Sequence, residues 1–267
     1  MGAQRLRLTI ANGPVSLPHM SIVLLTNDDG IMAPGLAALE ATAQALGTVW
    51  VVAPQTERSA SSRSVTLDRP LRLKRLGERK FALDGTPADC VLVAVRQLLP
   101  ELPAVVISGI NAGFNLGEDT EYSGTVGAAM EAANQGVKLC LAVSCPAQAS
   151  EELFKQAADF AIRAAGYLLQ IGTPTRSVFN INYPQNVQGV RWCRLGNPLP
   201  RGKVVVGEDP RGKPYYWIAE RPDEADPPPD TDRGAVRRGM VSLCLLALDR
   251  DYKGEWVPPN AESFDLS

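Results

Sequence analysis

The sequence predicts an α/β protein built on a Rossmann-like, doubly wound, mostly parallel sheet with helices on both faces, three layers in all, and a β-rich C-terminal extension. Three observations lead there. Short continuous apolar runs of strand length recur from Ile22 onward, as strands buried on both faces require. Turn residues and then helical apolar spacing follow most of these runs, the alternation of βαβ units. Finally, 267 residues at 45% hydrophobic content suffice for one large core or a core with an appendage, and hardly for two independent large domains.

In chain order, residues 1–20 read as an irregular extension broken by Gly13, Pro14 and Pro18, and Met20 is a candidate physiological start. Ile22 to Thr26 reads as a strand, Gly35 to Leu46 as a helix, and Val49 to Ala53 as a second strand closed by Pro54. An extended segment follows near Ser64 to Leu73, then helical spacing over Asp89 to Leu99 and a strand over Ala104 to Ser108. Gly124 to Gln135 is a helix of small residues and Leu139 to Ser144 a further strand. Residues 21–175 are thus expected to form the core. Beyond about residue 175 the strands expected at Val178 to Tyr183, Val190 to Leu195, Tyr215 to Glu220 and Met240 to Leu248 are separated by Pro, Gly and charge. Residues 176–267 are therefore expected to be a β-rich part that completes the core and forms subunit contacts. Arg221 to Thr231, with Pro227-Pro228-Pro229, is polar and extended, expected at a surface or a partner subunit.

Composition removes several classes of chemistry. A net charge of -2 gives no basic footprint for a nucleic-acid polymer, and no apolar run approaches the roughly 20 residues of a membrane span. With no secretory signal pattern at the start either, the expected compartment is the cytoplasm. Five scattered cysteines without CxxC spacing read as reduced, buried thiols. The single histidine, His19, lies in the expected tail, so histidine-based triads, histidine-ligated zinc and phosphohistidine chemistry are excluded. What remains is carboxylates, hydroxyls, amides and a hard cation.

Ligands of open α/β sheets bind beyond the carboxyl ends of the strands, and the loops there carry oxygen donors. After the first strand comes Thr26-Asn27-Asp28-Asp29-Gly30. The adjacent carboxylates either bind a hard cation such as Mg²⁺ or Mn²⁺ or merely cap the next helix and fill a turn. After the second strand, Gln55 to Ser62 is a serine-rich loop. It is either a solvated connection or a source of hydroxyls for metal or phosphate, with Arg58 positioned to offset phosphate charge. After Ser108 comes Gly109-Ile110-Asn111-Ala112-Gly113-Phe114-Asn115-Leu116-Gly117, whose glycines permit close backbone approach and whose Asn111 offers a neutral oxygen. Ser123-Gly124-Thr125 opens a helix, giving either an anion cradle or an ordinary cap; no P-loop pattern is present. Gly85 to Cys90 reads as a turn and helix cap or the border of a cleft. Tyr215, Tyr216 and Trp217 suit a subunit contact or stacking on a base.

The stretches LLTNDDGIMAPG, VVAPQTERSASS, DGTPADCV, VISGINAGFNLGEDTEYSGTVGAAMEA and DPRGKPYYWI, from Leu24 to about Ile218, resemble the SurE family of survival-protein nucleotidases. The resemblance implies a Rossmann-like core and a β-rich C-terminal part that builds homodimers or homotetramers. It also implies hydrolysis of nucleoside 5'- and often 3'-monophosphates with one divalent ion per subunit, and in several members trimming of short polyphosphate. By motif, the family's metal ligands fall on Asp28, Asp29, Ser59 and Asn111, and its phosphate-binding loop on Ser123, Gly124 and Thr125 with Asn115 nearby. Asp230 to Val236 resembles the family's TDxxAV segment, whereas Met240 to Leu245 departs from its usual GYVSxTPL, and a histidine found nearby in some members is missing.

The expected mechanism has the ion hold the phosphate oxygens and lower the pKa of a water. Asp28, with Asn111 and Ser123, carries the catalytic roles: Asp28 orients or deprotonates that water, and the Ser123 loop stabilises the transferring phosphoryl group. The Asp-x-Asp spacing of aspartate-nucleophile phosphatases is missing, which favours water attack over an aspartyl-phosphate. A short-chain exopolyphosphatase, a sugar-phosphate phosphatase and a nucleotide-binding module without turnover are the rival readings.

Overall fold

The computed structural model describes residues 21–197, 202–218 and 226–249. The expected extension over residues 1–20, with His19 and Met20, lies outside these, as do residues 221–225 at the start of the proline-rich segment.

The described strands and helices are β1 (Ile22–Thr26), α1 (Pro34–Thr42), β2 (Thr48–Pro54), β3 (Leu73–Arg75), β4 (Lys80–Leu83), α2 (Pro87–Val93), β5 (Val105–Ala112), α3 (Gly124–Asn134), β6 (Leu139–Cys145), α4 (Glu151–Ile171), β7 (Ser177–Asn182), β8 (Gly189–Trp192), β9 (Val204–Glu208), β10 (Pro214–Ile218), α5 (Asp232–Arg237) and β11 (Met240–Ala247). Nine strands form one sheet in the order β3-β4-β2-β1-β5-β6-β7-β11-β8. The run from β4 to β7 is parallel; β3 and β11 join antiparallel to their neighbours β4 and β7. The fold is therefore the α/β class read from the apolar runs, with antiparallel strands added on both sides.

Alternation of side chains builds the layers. Val23, Leu25, Ile107 and Leu141 face α1 and α4 in one buried cluster, while Leu24, Val106 and Cys140 face α2 and α3 in the other, as a period of two demands. The longest helix, α4, falls where the alternation read from the sequence assigns no element. Its buried Leu153, Phe154, Ala157, Ala158, Ala161, Ala164, Ala165 and Leu168 recur at helical spacing, and Ser150 caps it by accepting from Leu153 N at 3.2 Å. Alanine supplies little hydropathy contrast, so the stripe is easily passed over. β3, β4, β9 and α5 likewise have no counterpart in that reading.

Two further differences bear on the site. β5 continues past Ser108 to Ala112, with its pairing to β6 interrupted between Ser108 and Asn111, so Asn111 sits on an irregular strand end rather than in a free loop. Gly85 to Cys90 is a turn and helix cap. Thr86 Oγ1 accepts from Asp89 N at 3.1 Å and Asp89 Oδ2 accepts from Thr86 N at 2.9 Å, the reciprocal bonds of a capping box.

The described part of the proline run is not wholly superficial. Pro227 is buried, and Pro228 O accepts from Thr231 N and Oγ1 at 3.0 and 2.6 Å. β9 and β10 pair only with each other, and their Val206, Tyr216, Trp217 and Ile218 are exposed. No described helix is long and apolar enough to cross a membrane. All five cysteines are free thiols; burial raises their pKa, that of Cys145 to about 12 and that of Cys193 to about 11, so they are inert at neutral pH.

Candidate active site

From β1 the chain winds outward through β2 and β4 on one side, and from β5 it winds through β6 and β7 on the other. The switch point therefore lies between β1 and β5, where such sheets bind ligands. A cleft of about 240 Å³ opens there, lined by residues that follow β1 (Asp28, Asp29) and β2 (Glu57, Ser59), by Asn111 at the end of β5 and Asn115 beyond it, and by Ser123 at the start of α3.

Local bonding fixes each side chain. Asn27 closes the turn after β1, donating Nδ2 to Gly30 O at 2.9 Å and accepting from Gly30 N at 3.2 Å. Asp28, only 5% exposed, accepts at Oδ1 from Thr125 Oγ1, and its carbonyl accepts from Arg58 N at 2.7 Å. Asp29 accepts from Ala112 N at 3.1 Å, which ties β1 to the end of β5. Asn111 donates Nδ2 to Gly113 O at 2.7 Å and thereby leaves its amide oxygen as the available donor atom. Ser59 donates to Glu57 Oε1 at 2.6 Å. Asn115 is held from three sides: its N–H donates to Asn182 Oδ1 at 2.9 Å, its Nδ2 to Ser144 Oγ at 2.8 Å, and its carbonyl accepts from Asn180 and Asn182.

All four residues onto which the resemblance carries metal ligands line this one cleft, as do Asn115 and Ser123. Gly124 and Thr125 do not. Thr125 is fully buried and donates its hydroxyl to Asp28, so this side chain positions the carboxylate. Gly124 is where α3 passes close to Asp28, since a Cβ there would fall 2.9 Å from Asp28 Oδ2. Ser123 Oγ accepts from Val126 N at 3.1 Å, so it caps α3, and its hydroxyl hydrogen remains to be donated. The Arg58 side chain is not among the cleft's lining residues. Glu57, Asp119 and Tyr122 do line it, though the sequence reading singles out none of them; Glu57 lies two residues from Ser59 and its spacing alone offered the signal.

The electrostatics are one-sided. Four carboxylates, Asp28, Asp29, Glu57 and Asp119, line the cleft with no lysine or arginine among its lining residues. Burial, and secondarily Asp29, raise the pKa of Asp28 to about 6 against the opposing bond from Thr125. Burial, and then Glu57, raise that of Asp29 against the bond from Ala112. Such a pair is costly unless a cation compensates. Among the described residues no three His, Cys, Asp or Glu converge closely enough to hold a metal by themselves, so an ion here depends on the hydroxyl of Ser59 and the amide oxygen of Asn111 besides the aspartates. Two carboxylates, a hydroxyl and an amide oxygen fit a hard divalent cation.

The family model for survival protein SurE matches residues 23–200. The chain is 42% identical over 237 residues to the 5'-nucleotidase SurE of Moorella thermoacetica, covering 85% of this chain and 90% of the relative. It is 44% identical over 231 residues to that of Syntrophotalea carbinolica, covering 85% and 92%. The crystal structure of the SurE protein from Aquifex aeolicus superimposes with a TM-score of 0.74 at 36% identity, covering 86% of this chain and 94% of that one. On the matched motifs, the length of the match and the shared sheet, the chain belongs to the SurE survival-protein family.

Proposed function

We propose that this protein is a divalent-metal-dependent phosphatase that hydrolyses nucleoside 5'-monophosphates to nucleoside and phosphate in the cytoplasm, using one Mg²⁺ or Mn²⁺ per subunit. Relatives that carry the name 5'-nucleotidase SurE support the phosphatase activity. The observation that carries the metal dependence is the acidic cleft without a basic lining residue. A phosphate dianion facing four carboxylates is repelled unless a cation lies between, and a nucleotide-binding module without a metal gains nothing from such a lining.

Asp28, Asp29, Ser59 and Asn111 would hold the ion, which supplies charge neutralisation and a water of lowered pKa. Asp28 is the general base. Its carboxylate is buried and fixed by Thr125, which holds it in one orientation toward the attacking water. Ser123 donates its hydroxyl hydrogen to a phosphate oxygen at the N-terminus of α3, where the helix dipole favours negative charge. Asn115, which lines the same cleft, would help to orient that group. Solvent-exposed apolar residues on β9 and β10 support assembly into a homodimer or homotetramer.

Phosphate release from nucleoside 5'- and 3'-monophosphates, tripolyphosphate and sugar phosphates, each with EDTA, Mg²⁺ or Mn²⁺, tests this reading. Metal-dependent release from the 5'-nucleotides is expected. Release from polyphosphate or sugar phosphates alone would assign the site to those substrates, and nucleotide binding without release under any metal would reduce it to a binding module.

A further inference from the structure

A second cavity, of about 440 Å³, adjoins the acidic cleft and shares Asp119 with it. Phe114, Leu116, Pro227, Arg233 and Val236 also line it. The segment from Phe114 to Asp119 is the partition between the two spaces. Leu116 is extended (φ -118°, ψ 140°), and along this segment Asn115 lines the acidic cleft while Phe114 and Leu116 line the larger cavity, the alternation expected of extended backbone.

The walls are firm. The four bonds at Asn115 hold the partition to β6 and β7. Asp232, fully buried, accepts from Gly117 N at 2.7 Å and Gly196 N at 2.8 Å. The Arg233 guanidinium is bound to Asn197 O at 2.7 Å and to Glu118 Oε2 at 2.9 Å, so it serves as a wall. The cavity offers an aromatic ring and aliphatic surface, and the carboxylate of Asp119 is shared with the cleft; these match the parts of a nucleotide. The base has a stacking face, the ribose has a diol that carboxylates accept from, and the phosphate lies beyond.

Resting on the nucleotidase reading, we propose that this cavity is the nucleoside subsite: Phe114 stacks on the base, and Asp119 accepts hydrogen bonds from the ribose hydroxyls while the phosphate occupies the acidic cleft. Phe114 is then a specificity-determining residue that favours nucleotides over phosphoesters lacking a base.

The test is steady-state kinetics of the metal-loaded, full-length protein on adenosine 5'-monophosphate, 2',3'-dideoxyadenosine 5'-monophosphate and ribose 5-phosphate. Phe114→Ala should raise KM for the adenosine nucleotide about tenfold, equivalent to about 1.4 kcal/mol, with kcat within twofold, and should leave kcat/KM for ribose 5-phosphate unchanged. Phe114→Tyr, which keeps the stacking face, should behave as wild type. Asp119→Asn should raise KM for the ribonucleotide, with little further loss on the dideoxy substrate. Equal effects of Phe114→Ala on adenosine nucleotide and ribose 5-phosphate, or no effect on either, would overturn the subsite. A wild-type protein without activity on any nucleotide would instead overturn the nucleotidase reading.

Discussion

At the residue scale, the buried Asp28 gives the sharpest expectations. Asp28→Asn keeps the shape and can still accept from Thr125 but loses the base, and phosphate release should fall by at least about a hundredfold. The same change should affect stability in the opposite direction. A folded-state pKa raised to about 6 means that the native state binds more protons at this position than the unfolded chain between about pH 4 and 6, so stability falls as pH rises through that window. In EDTA, urea denaturation should show the Asp28→Asn variant more stable than wild type above pH 7, by up to about 3 kcal/mol at about 1.4 kcal/mol per pKa unit. The two proteins should converge near pH 4, and an unchanged gap across that range would contradict the burial of this charge. The Asp28-Asp29 pair and Asn111 were readable as candidate hard-cation donors from their places at strand ends. The role of Thr125 was not, because its bond to Asp28 spans 97 positions of sequence and no local pattern reports such a contact.

At the element scale, two helix starts behave differently. Thr86→Ala removes the capping box of α2 and should cost about 1 kcal/mol, a fall in melting temperature of about 2–4 °C for a chain of this size, with catalysis unaltered. α3 does more than carry a cap. A Cβ at Gly127 would collide with Ser62 O, in the serine loop that also presents Ser59. Gly127→Ala should therefore lower both stability, by about 1–3 kcal/mol, and phosphate release, measured on the folded fraction; full activity would show that the loop relaxes without moving Ser59. Strand and cap chemistry made β1, β2, β6 and α3 legible. The alanine-rich face of α4 and the three-residue β3 were not, since the first has weak contrast and the second is defined by its partner, β4, more than by its own residues.

At the scale of the whole molecule, Asp232 fastens the C-terminal part to the wall of the site. It lies fully buried and accepts from Gly117 N, Gly196 N and its neighbour Arg233 N. Asp232→Ala leaves those donors unpaired, and chemical denaturation should show a loss of about 3 kcal/mol or more. The unpaired ribbon of β9 and β10 offers a second test. Trp217 is 69% exposed, and under the proposed assembly Trp217→Lys should lower the mass measured by light scattering; a monomer in both proteins would remove the oligomer proposal.

The sequence by itself determined the parallel sheet, the order of the strand-end loops and the oxygen-rich, histidine-free chemistry, because apolar runs, turn residues and donor types are local properties. Only the tertiary structure decided which donors meet. It set the Thr125 hydroxyl on Asp28, brought Glu57 and Asp119 to the cleft, and placed Phe114 at a second cavity. Those outcomes depend on packing between segments far apart in the chain, and a one-dimensional pattern contains no distance between them.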